Sequence, residues 1–132
     1  MLSMTPSAPK ESGAAALDRG AVLTKAMLRA ADILGLNARA LARVIGVSEP
    51  TLSRMKRGDV LLEAGTKPYE LAALVVRLYR SLDAISGGED AVARSWMTGP
   101  NTALQGVPSE LITSVTGLVD VVGYLDAHRA VV

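Results

Sequence analysis

The side chains best suited to chemistry lie close together in residues 48–57, SEPTLSRMKR. Arg54, Lys56 and Arg57 are cations that could bind phosphate oxygens, and arginine can also bind the edge of a guanine. Neighbouring hydroxyl groups could bond phosphate oxygens as well. Glu49 would repel a phosphate unless it accepts a hydrogen bond from a cytosine amino group. The candidate nucleic-acid contacts are Ser48, Glu49, Pro50, Thr51, Ser53, Arg54, Lys56 and Arg57.

The residues around this set predict two short helices that pack against each other. Ala42 is small enough to let the two backbones approach, and Gly46 supplies the positive φ angle of a sharp turn. Ser48 caps the second of these helices, and Pro50 lies in its first turn. The apolar residues at matching spacing are Leu41, Ile45, Val47, Leu52 and Met55. This pattern predicts a helix-turn-helix over residues 38–57, whose second helix can enter the major groove of DNA. A hairpin that only packs is the alternative, and the basic end of the second helix favours DNA binding.

The rest of the chain shows helical periodicity, and no stretch alternates as a strand would. We therefore predict an all-α fold. Residues 1–18 are rich in Ser, Pro, Gly and Ala and predict a flexible tail. Asn37 is the expected N-cap of the helix over residues 38–45. The other predicted helices are Ala21–Leu34, Tyr69–Ile85, Glu89–Met97 and Thr113–Arg129.

The apolar positions of these helices predict which sides are buried. In the first helix we expect Val22 on the apolar face, together with Leu23 and Met27. In the last helix we expect Val115 and Val119 on one side with other members of its apolar set, Leu118, Val122 and Leu125. Gly117 inside that helix predicts the close approach of another helix.

The segment from Trp96 to Pro108 predicts an anchor followed by two tight turns. Trp96 is the only tryptophan and is expected to hold the short helices against the long one. Asn101 can cap the segment that follows it, and Gly106 makes a second turn before Pro108 begins a helix. For each of these residues, maintaining the core or a turn is favoured over direct contact with a partner.

Composition limits the classes of protein to consider. The chain has 132 residues, 49% of them hydrophobic, a net charge of +1 and no cysteine. Residues 1–66 hold nine Lys and Arg against six Asp and Glu, whereas residues 67–132 hold five against seven. The basic excess thus lies in the half that carries the helix-turn-helix. With no membrane span and no signal peptide in the sequence, we expect a soluble cytoplasmic protein with no membrane partner.

Catalysis finds little support among the titratable residues. His128 is the only histidine, and Asp120 and Asp126 share neither a helical face nor a metal-ligand pattern with it. No glycine-rich phosphate loop follows a strand. We therefore expect no enzyme activity, no catalytic residue, no metal and no cofactor.

Two stretches carry a resemblance to a known family. LARVIGVSEPTLSRMKRG resembles the Xre-type, lambda-repressor-like helix-turn-helix. Residues 95–128, SWMTGPNTALQGVPSELITSVTGLVDVVGYLDAH, resemble the toxin-binding domain of the Xre/MbcA/ParS antitoxins. The matching residues are Trp96, Pro100, Asn101, Ala103, Leu104, Gly106, Pro108, Glu110, Leu111, Gly117 and Leu125. The implied organisation is a DNA-binding domain over residues 19–66 and a helical dimerisation and toxin-binding domain over residues 67–132.

The resemblance implies an antitoxin of a type II toxin–antitoxin system. Such a protein neutralises a cognate RES-domain toxin that degrades NAD or transfers ADP-ribose from it, and it does so by covering the toxin's active-site cleft. It also binds operator DNA to repress its own operon, and it forms homodimers and larger toxin–antitoxin assemblies. The implied toxin-binding residues are Trp96, Asn101, Leu104, Gly106, Pro108, Leu111, His128, Arg129, Val131 and Val132.

The end of the chain departs from the family pattern. Members often end near a His-Gly-like pair, whereas His128 is followed here by Arg129-Ala-Val-Val132. An apolar tail that carries an arginine and a terminal carboxylate could enter a pocket for an anionic dinucleotide. We treat the insertion of this tail into the toxin as a hypothesis.

Two other interpretations share the helix-turn-helix but lack one of the antitoxin's two partners. The first is a plain Xre-family transcriptional repressor whose second half only dimerises. The second is an adaptor that binds a toxin and has lost DNA binding. They differ from the antitoxin in whether residues 95–132 bind another protein and whether residues 48–57 bind DNA.

Overall fold

The computed structural model describes residues 11–130, and within that range the chain forms seven helices and no strand. The helices are α1 (Gly13–Leu34), α2 (Ala38–Ile45), α3 (Glu49–Arg57), α4 (Lys67–Ile85), α5 (Asp90–Thr98), α6 (Pro108–Leu111) and α7 (Val115–Ala130). The all-α prediction is confirmed. Val131 and Val132, and the part of the predicted tail that precedes Glu11, lie outside the described residues.

The first helix begins eight residues before its predicted start at Ala21 and includes residues 13–18 of the predicted tail. Ser12 caps α1, since its side chain accepts a hydrogen bond of 3.1 Å from the Ala15 amide. Alanines in the first turns then favour the helix, because alanine has the best helix propensity. The overall composition of residues 1–18 predicted a tail, because composition does not distinguish a serine that caps a helix from one in a flexible segment.

The segment after α3 is fastened to α1 by a buried hydroxyl. The Thr24 hydroxyl donates to the Gly20 carbonyl (2.6 Å) and accepts from the Leu62 amide (2.9 Å). The Leu62 carbonyl lies where a side chain at Gly20 would have to be. Gly20 therefore lies inside a helix because the neighbouring backbone comes too close for a Cβ atom.

The central helix is α4, which packs against α1, α2 and α7. The wide apolar stripe predicted for it is largely buried, including Leu71, Val75, Leu78 and Leu82. Six of the helices, α1 to α5 and α7, contribute buried side chains to one continuous core. Ile112, which follows directly after α6, also belongs to this core. Its largest buried side chains include Met27, Leu34, Leu41, Ile45, Leu52, Leu78, Leu82, Met97, Leu118 and Leu125.

Three valines expected on buried faces are exposed. Val22 of α1 is 69% exposed, and Val115 and Val119 of α7 are 56% and 51% exposed. The buried side of α7 consists of Leu118, Val121, Val122 and Leu125. Because α7 is apolar on most of its circumference, its period alone did not distinguish the side that faces α4 from the side that faces outward. The face predictions for these three residues were wrong.

Candidate nucleic-acid interface and partner surface

The turn between α2 and α3 has the geometry that its sequence predicts. Gly46 adopts φ +76°, and its amide donates to the Ala42 carbonyl at 2.9 Å. Nothing lies within 4 Å of a Cβ built at Gly46, so the positive φ, and not crowding, requires glycine there. Ala42 is buried between the helices, and Val47 is partly buried against the core. The Asn37 side chain caps α2 as expected, accepting from the Ala40 amide at 2.8 Å.

The hydroxyl groups at the start of α3 already have local partners. Ser48 is the N-cap, and its hydroxyl accepts from the Thr51 amide at 3.2 Å and donates to the Thr51 hydroxyl at 2.8 Å. Pro50 lies in the first turn, where its missing N–H is not needed. Ser48 and Thr51 thus shape the start of the helix in addition to being candidate phosphate contacts.

The outward face of α3 presents most of the candidate residues to solvent. Leu52 and Met55 are buried, which leaves the polar side of the helix free, and only Thr51 among the candidates is partly buried. Arg57 Nε lies 3.3 Å from Asp59 Oδ2, and both side chains are more than 60% exposed. An exposed pair of this kind is weak and is exchangeable for a phosphate. The exposed candidates are Ser48, Glu49, Pro50, Ser53, Arg54, Lys56 and Arg57.

In the second half, three rings lie in a row along α5 and α7. Trp96 of α5 stacks on Tyr124 of α7 with ring centroids 6.2 Å apart, and Tyr124 is followed by His128 with centroids 4.1 Å apart. His128 Nδ1 also lies 2.8 Å from the Tyr124 carbonyl oxygen. Trp96 therefore does join a short helix to the long one, as expected. Tyr124 was missed, although an aromatic residue four positions before His128 in a helix was a usable signal.

The turns between α5 and α6 are built from predicted residues. The Asn101 side chain accepts from the Leu104 amide at 3.0 Å, which confirms the predicted cap. Asn101 and Gly106 exchange two backbone hydrogen bonds, of 2.8 and 3.2 Å. A Cβ at Gly106 would lie 3.0 Å from the Leu111 side chain, so the turn packs closely on α6.

The helix after these turns is held against α7 by a glycine. Pro108 is buried and begins α6, as predicted. A side chain at Gly117 would overlap the Leu111 carbonyl, so the predicted close approach of another helix is confirmed. Gly106, Pro108 and Gly117 thus serve the packing of this region, whereas Leu104 and Leu111 are only partly buried.

The outer side of α5 carries a shallow depression of about 540 Å³. Its lining includes Val92, Trp96, Pro100 and Asn101. Val92 is 46% exposed, which is high for a large apolar side chain, and sequence reasoning did not select it. His128 and Arg129 are exposed at the end of α7. The structure therefore brings Trp96 and His128 together through Tyr124, with an apolar depression beside Trp96.

A buried hydroxyl and a carboxylate join α4 to α7. The Ser81 hydroxyl donates to Asp126 Oδ1 at 2.8 Å, and Arg77 Nη2 lies 2.5 Å from Asp126 Oδ2. The hydrogen bond from Ser81 is the main cause that lowers the pKa of Asp126, partial burial opposes it, and Arg77 adds to the lowering. A second link runs from α5, where Arg94 Nε donates to the Ile33 carbonyl at 3.2 Å near the end of α1.

Two other kinds of site are absent from the described residues. Between Glu11 and Ala130, no three His, Asp or Glu side chains are grouped closely enough to hold a metal ion. No helix in this part of the chain is both long enough and apolar enough to cross a membrane.

Comparison with protein families assigns both halves of the chain. Residues 13–77 match the antitoxin Xre-like helix-turn-helix domain, and residues 81–130 match the antitoxin Xre/MbcA/ParS C-terminal toxin-binding domain. The chain belongs to the Xre/MbcA/ParS antitoxins. A search of curated proteins found no match for this antitoxin. The two matched families are DNA-binding and toxin-binding domains, not families of known enzymes.

The division between the two matches falls inside a helix. The first ends at residue 77 and the second begins at residue 81, and both positions lie in α4. This antitoxin therefore combines a DNA-binding domain and a toxin-binding domain that share one helix and one core.

Proposed function

We propose that this antitoxin neutralises a RES-domain toxin that consumes NAD, by degrading it or by transferring ADP-ribose from it, and that it represses its own operon by binding operator DNA. The match of residues 81–130 to the toxin-binding domain is the observation that carries the proposal. RES toxins are the partners that the resemblance of residues 95–128 implies. The antitoxin acts by covering the toxin's active-site cleft and is not itself an enzyme.

The surface around the stacked rings is the proposed contact with the toxin. Trp96, with the depression beside it, offers an apolar contact, and His128 and Arg129 extend this surface along the end of α7. Leu104 and Leu111 are partly buried and can contribute at its edge. Asn101, Gly106 and Pro108 act by holding the turns in shape. Val131 and Val132, outside the described residues, are assigned to the same contact by their place in the sequence.

The recognition helix for operator DNA is α3. Its exposed side carries Arg54, Lys56 and Arg57, while Leu52 and Met55 fix its inner side. A single small helix-turn-helix seldom binds tightly alone, so we propose a homodimer on a two-fold or repeated site and a larger assembly with the toxin. Because operator DNA lies in the cytoplasm of a bacterium, we place the antitoxin there.

The test is co-expression with the toxin encoded by the neighbouring reading frame, which this proposal expects to be of the RES type. We expect cells that express the toxin alone to lose NAD and stop growing, and cells that also express the antitoxin to grow. Trp96→Ala and His128→Ala should weaken protection and co-purification, while Leu17→Ala, an exposed leucine in α1, should leave both unchanged. A chain that binds its operator but neither binds nor neutralises the toxin would be a plain repressor.

A further inference from the structure

A groove lies between α1 and α4, and none of its lining residues belongs to α3 or α5. It measures about 580 Å³, and the end of α7 closes one of its ends. Its floor is apolar and includes Leu23, Ala26, Ala73 and Val76. Val22 projects from its α1 side with 69% of its surface exposed. An exposed apolar groove of this kind suits a docking surface for another apolar surface.

The two ends of the groove differ in charge. At one end, Asp18 and Arg19 lie near Tyr69, because the Arg19 guanidinium is over the Tyr69 ring at 5.5 Å. At the other end are Arg77, Arg80 and Arg129. Arg129 lies there because Asp126, three residues before it in α7, pairs with Arg77.

Only some of these charges already have partners. Arg19 pairs with Glu11 at 2.6 Å, and Arg77 pairs with Asp126. Among residues 11–130, no opposite charge lies within ion-pair distance of Asp18, Arg80 or Arg129. Within residues 11–130, one end of the groove thus has an anion without an ion pair, and the other end has two cations without one.

We infer that a second copy of this chain fills the groove, in an isologous dimer whose two-fold axis passes near Val22. A two-fold axis across the middle of the groove places each end against the opposite end of the partner copy. Asp18 of one copy then faces Arg80 and Arg129 of the other, and the reverse contact repeats it. Val22, between the two ends, packs against the partner's groove, and this contact would bury a valine that is 69% exposed in the single chain.

The dimensions suit packing between helices. Tyr69 and Arg80 line the groove at positions eleven residues apart in α4, which is roughly 16 Å at about 1.5 Å per residue. That length corresponds to about three turns of a docked helix, and α1 and α4 both extend beyond it. The same arrangement leaves α3 and Trp96 uncovered, and of the proposed toxin contacts within residues 11–130 only Arg129 lies at the dimer contact.

This inference rests on the homodimer of the proposed function and adds the face by which it forms. The first test is Val22→Glu in the full chain, measured by sedimentation velocity across a range of concentrations. We expect the dissociation constant of the dimer to rise by about tenfold or more, because the glutamate would be buried without a partner. The matched control is Val119→Glu, a similarly exposed valine on α7 outside the groove, which should leave the dimer unchanged.

The second test exchanges charges. Asp18→Arg and Arg80→Asp should each weaken the dimer, since each places like charges opposite one another at both symmetric contacts. The two variants mixed together should form a heterodimer, because Arg at position 18 then faces Asp at position 80 while the other contact keeps its native pair. The double variant in one chain should form a homodimer again. Circular dichroism checks that every variant remains helical.

Two results would overturn the inference in distinguishable ways. A wild-type chain that is monomeric up to high concentration would remove the homodimer itself. A wild-type dimer that withstands Val22→Glu, or charge variants that fail to restore each other, would show that the dimer uses another face. In that second case the proposed toxin and DNA contacts would stand.

Discussion

The arginine at the end of α3 has two possible partners, and this competition can be measured. Arg57 pairs with Asp59 in the free chain, but a DNA phosphate would be a stronger partner. We expect Arg57→Ala to weaken binding to all DNA sequences by a similar factor. The slope of the logarithm of the binding constant against the logarithm of salt concentration should fall by about one, the value for one phosphate contact. Asp59→Ala should tighten binding by about twofold to fivefold, since it removes the competing carboxylate.

A mobility-shift titration at several salt concentrations distinguishes these outcomes. Arg54→Ala tests the neighbouring cation, which has no ion pair among the described residues. Lys25→Ala is the control for loss of one positive charge, because Lys25 is an exposed residue of α1 that does not line the α1–α4 groove. If neither Arg54→Ala nor Arg57→Ala weakens binding more than Lys25→Ala does, α3 is not the helix that reads the operator.

Two glycines of α7 make a matched pair for testing close packing. A methyl group at Gly117 would overlap the Leu111 carbonyl, whereas one at Gly123 would meet nothing within 4 Å. Gly117→Ala should therefore lower the free energy of unfolding by about 1–3 kcal/mol or more. Gly123→Ala should raise it by up to about 1 kcal/mol, because alanine is the better helix former. Urea denaturation of both variants gives the comparison, and equal stabilities would mean that α6 moves away at little cost.

Residues whose role depends on their own few neighbours in sequence were predictable. The Asn37 and Ser48 caps, the positive φ of Gly46 and the Asn101 turn are all short-range arrangements, and the structure has each of them. The exposure of Val22, Val115 and Val119 was not predictable, because a helix that is apolar on several sides does not specify which side meets its neighbours. Gly20 was missed for a related reason, since its partner Leu62 is distant in sequence.

At the scale of elements, the contact between α4 and α7 depends on pH through Asp126. The folded-state pKa of this carboxyl is lowered, chiefly by the hydrogen bond from Ser81. Its contribution to stability is therefore fully present above the unfolded-state pKa of about 3.9. The contribution is lost as the pH falls from there through the lowered folded-state pKa, because protonation removes the carboxylate that Ser81 and Arg77 bind.

Ser81→Ala isolates this effect. It should lower the free energy of unfolding at pH 7 by about 1–2 kcal/mol, and by less at pH 3, where Asp126 is protonated more fully in the unfolded chain. Urea titrations at the two pH values measure both quantities. Asp120→Asn is the control, since Asp120 is an exposed residue of α7 with no ion pair among the described residues. A loss that is the same at both pH values would assign the effect of Ser81 to packing instead.

In the proposed toxin contact around Trp96, the local contacts were predictable from sequence and the packing between helices was not. Trp96, the turns and Gly117 were expected to hold the second half together, and their contacts agree with that expectation. The stacking of Trp96 on Tyr124 needed the register of α5 against α7, which depends on long-range packing that no local pattern specifies. The residues that touch the toxin remain a prediction for the same reason, because they depend on a second molecule.

At the scale of the whole molecule, the two matched domains share α4 and one core, so we expect them to unfold as one unit. Trp96 is the only tryptophan and reports on the toxin-binding half.

Leu34 belongs to the DNA-binding half and is 1% exposed. Leu34→Ala should lower the free energy of unfolding by about 2–5 kcal/mol and shift the Trp96 fluorescence transition together with the circular dichroism transition. Leu17→Ala, at a leucine that is 66% exposed, should shift neither. A Trp96 transition that stays in place while the helical signal moves would mean that the toxin-binding half folds independently, and that a toxin bound there could leave the stability of the DNA-binding half unchanged.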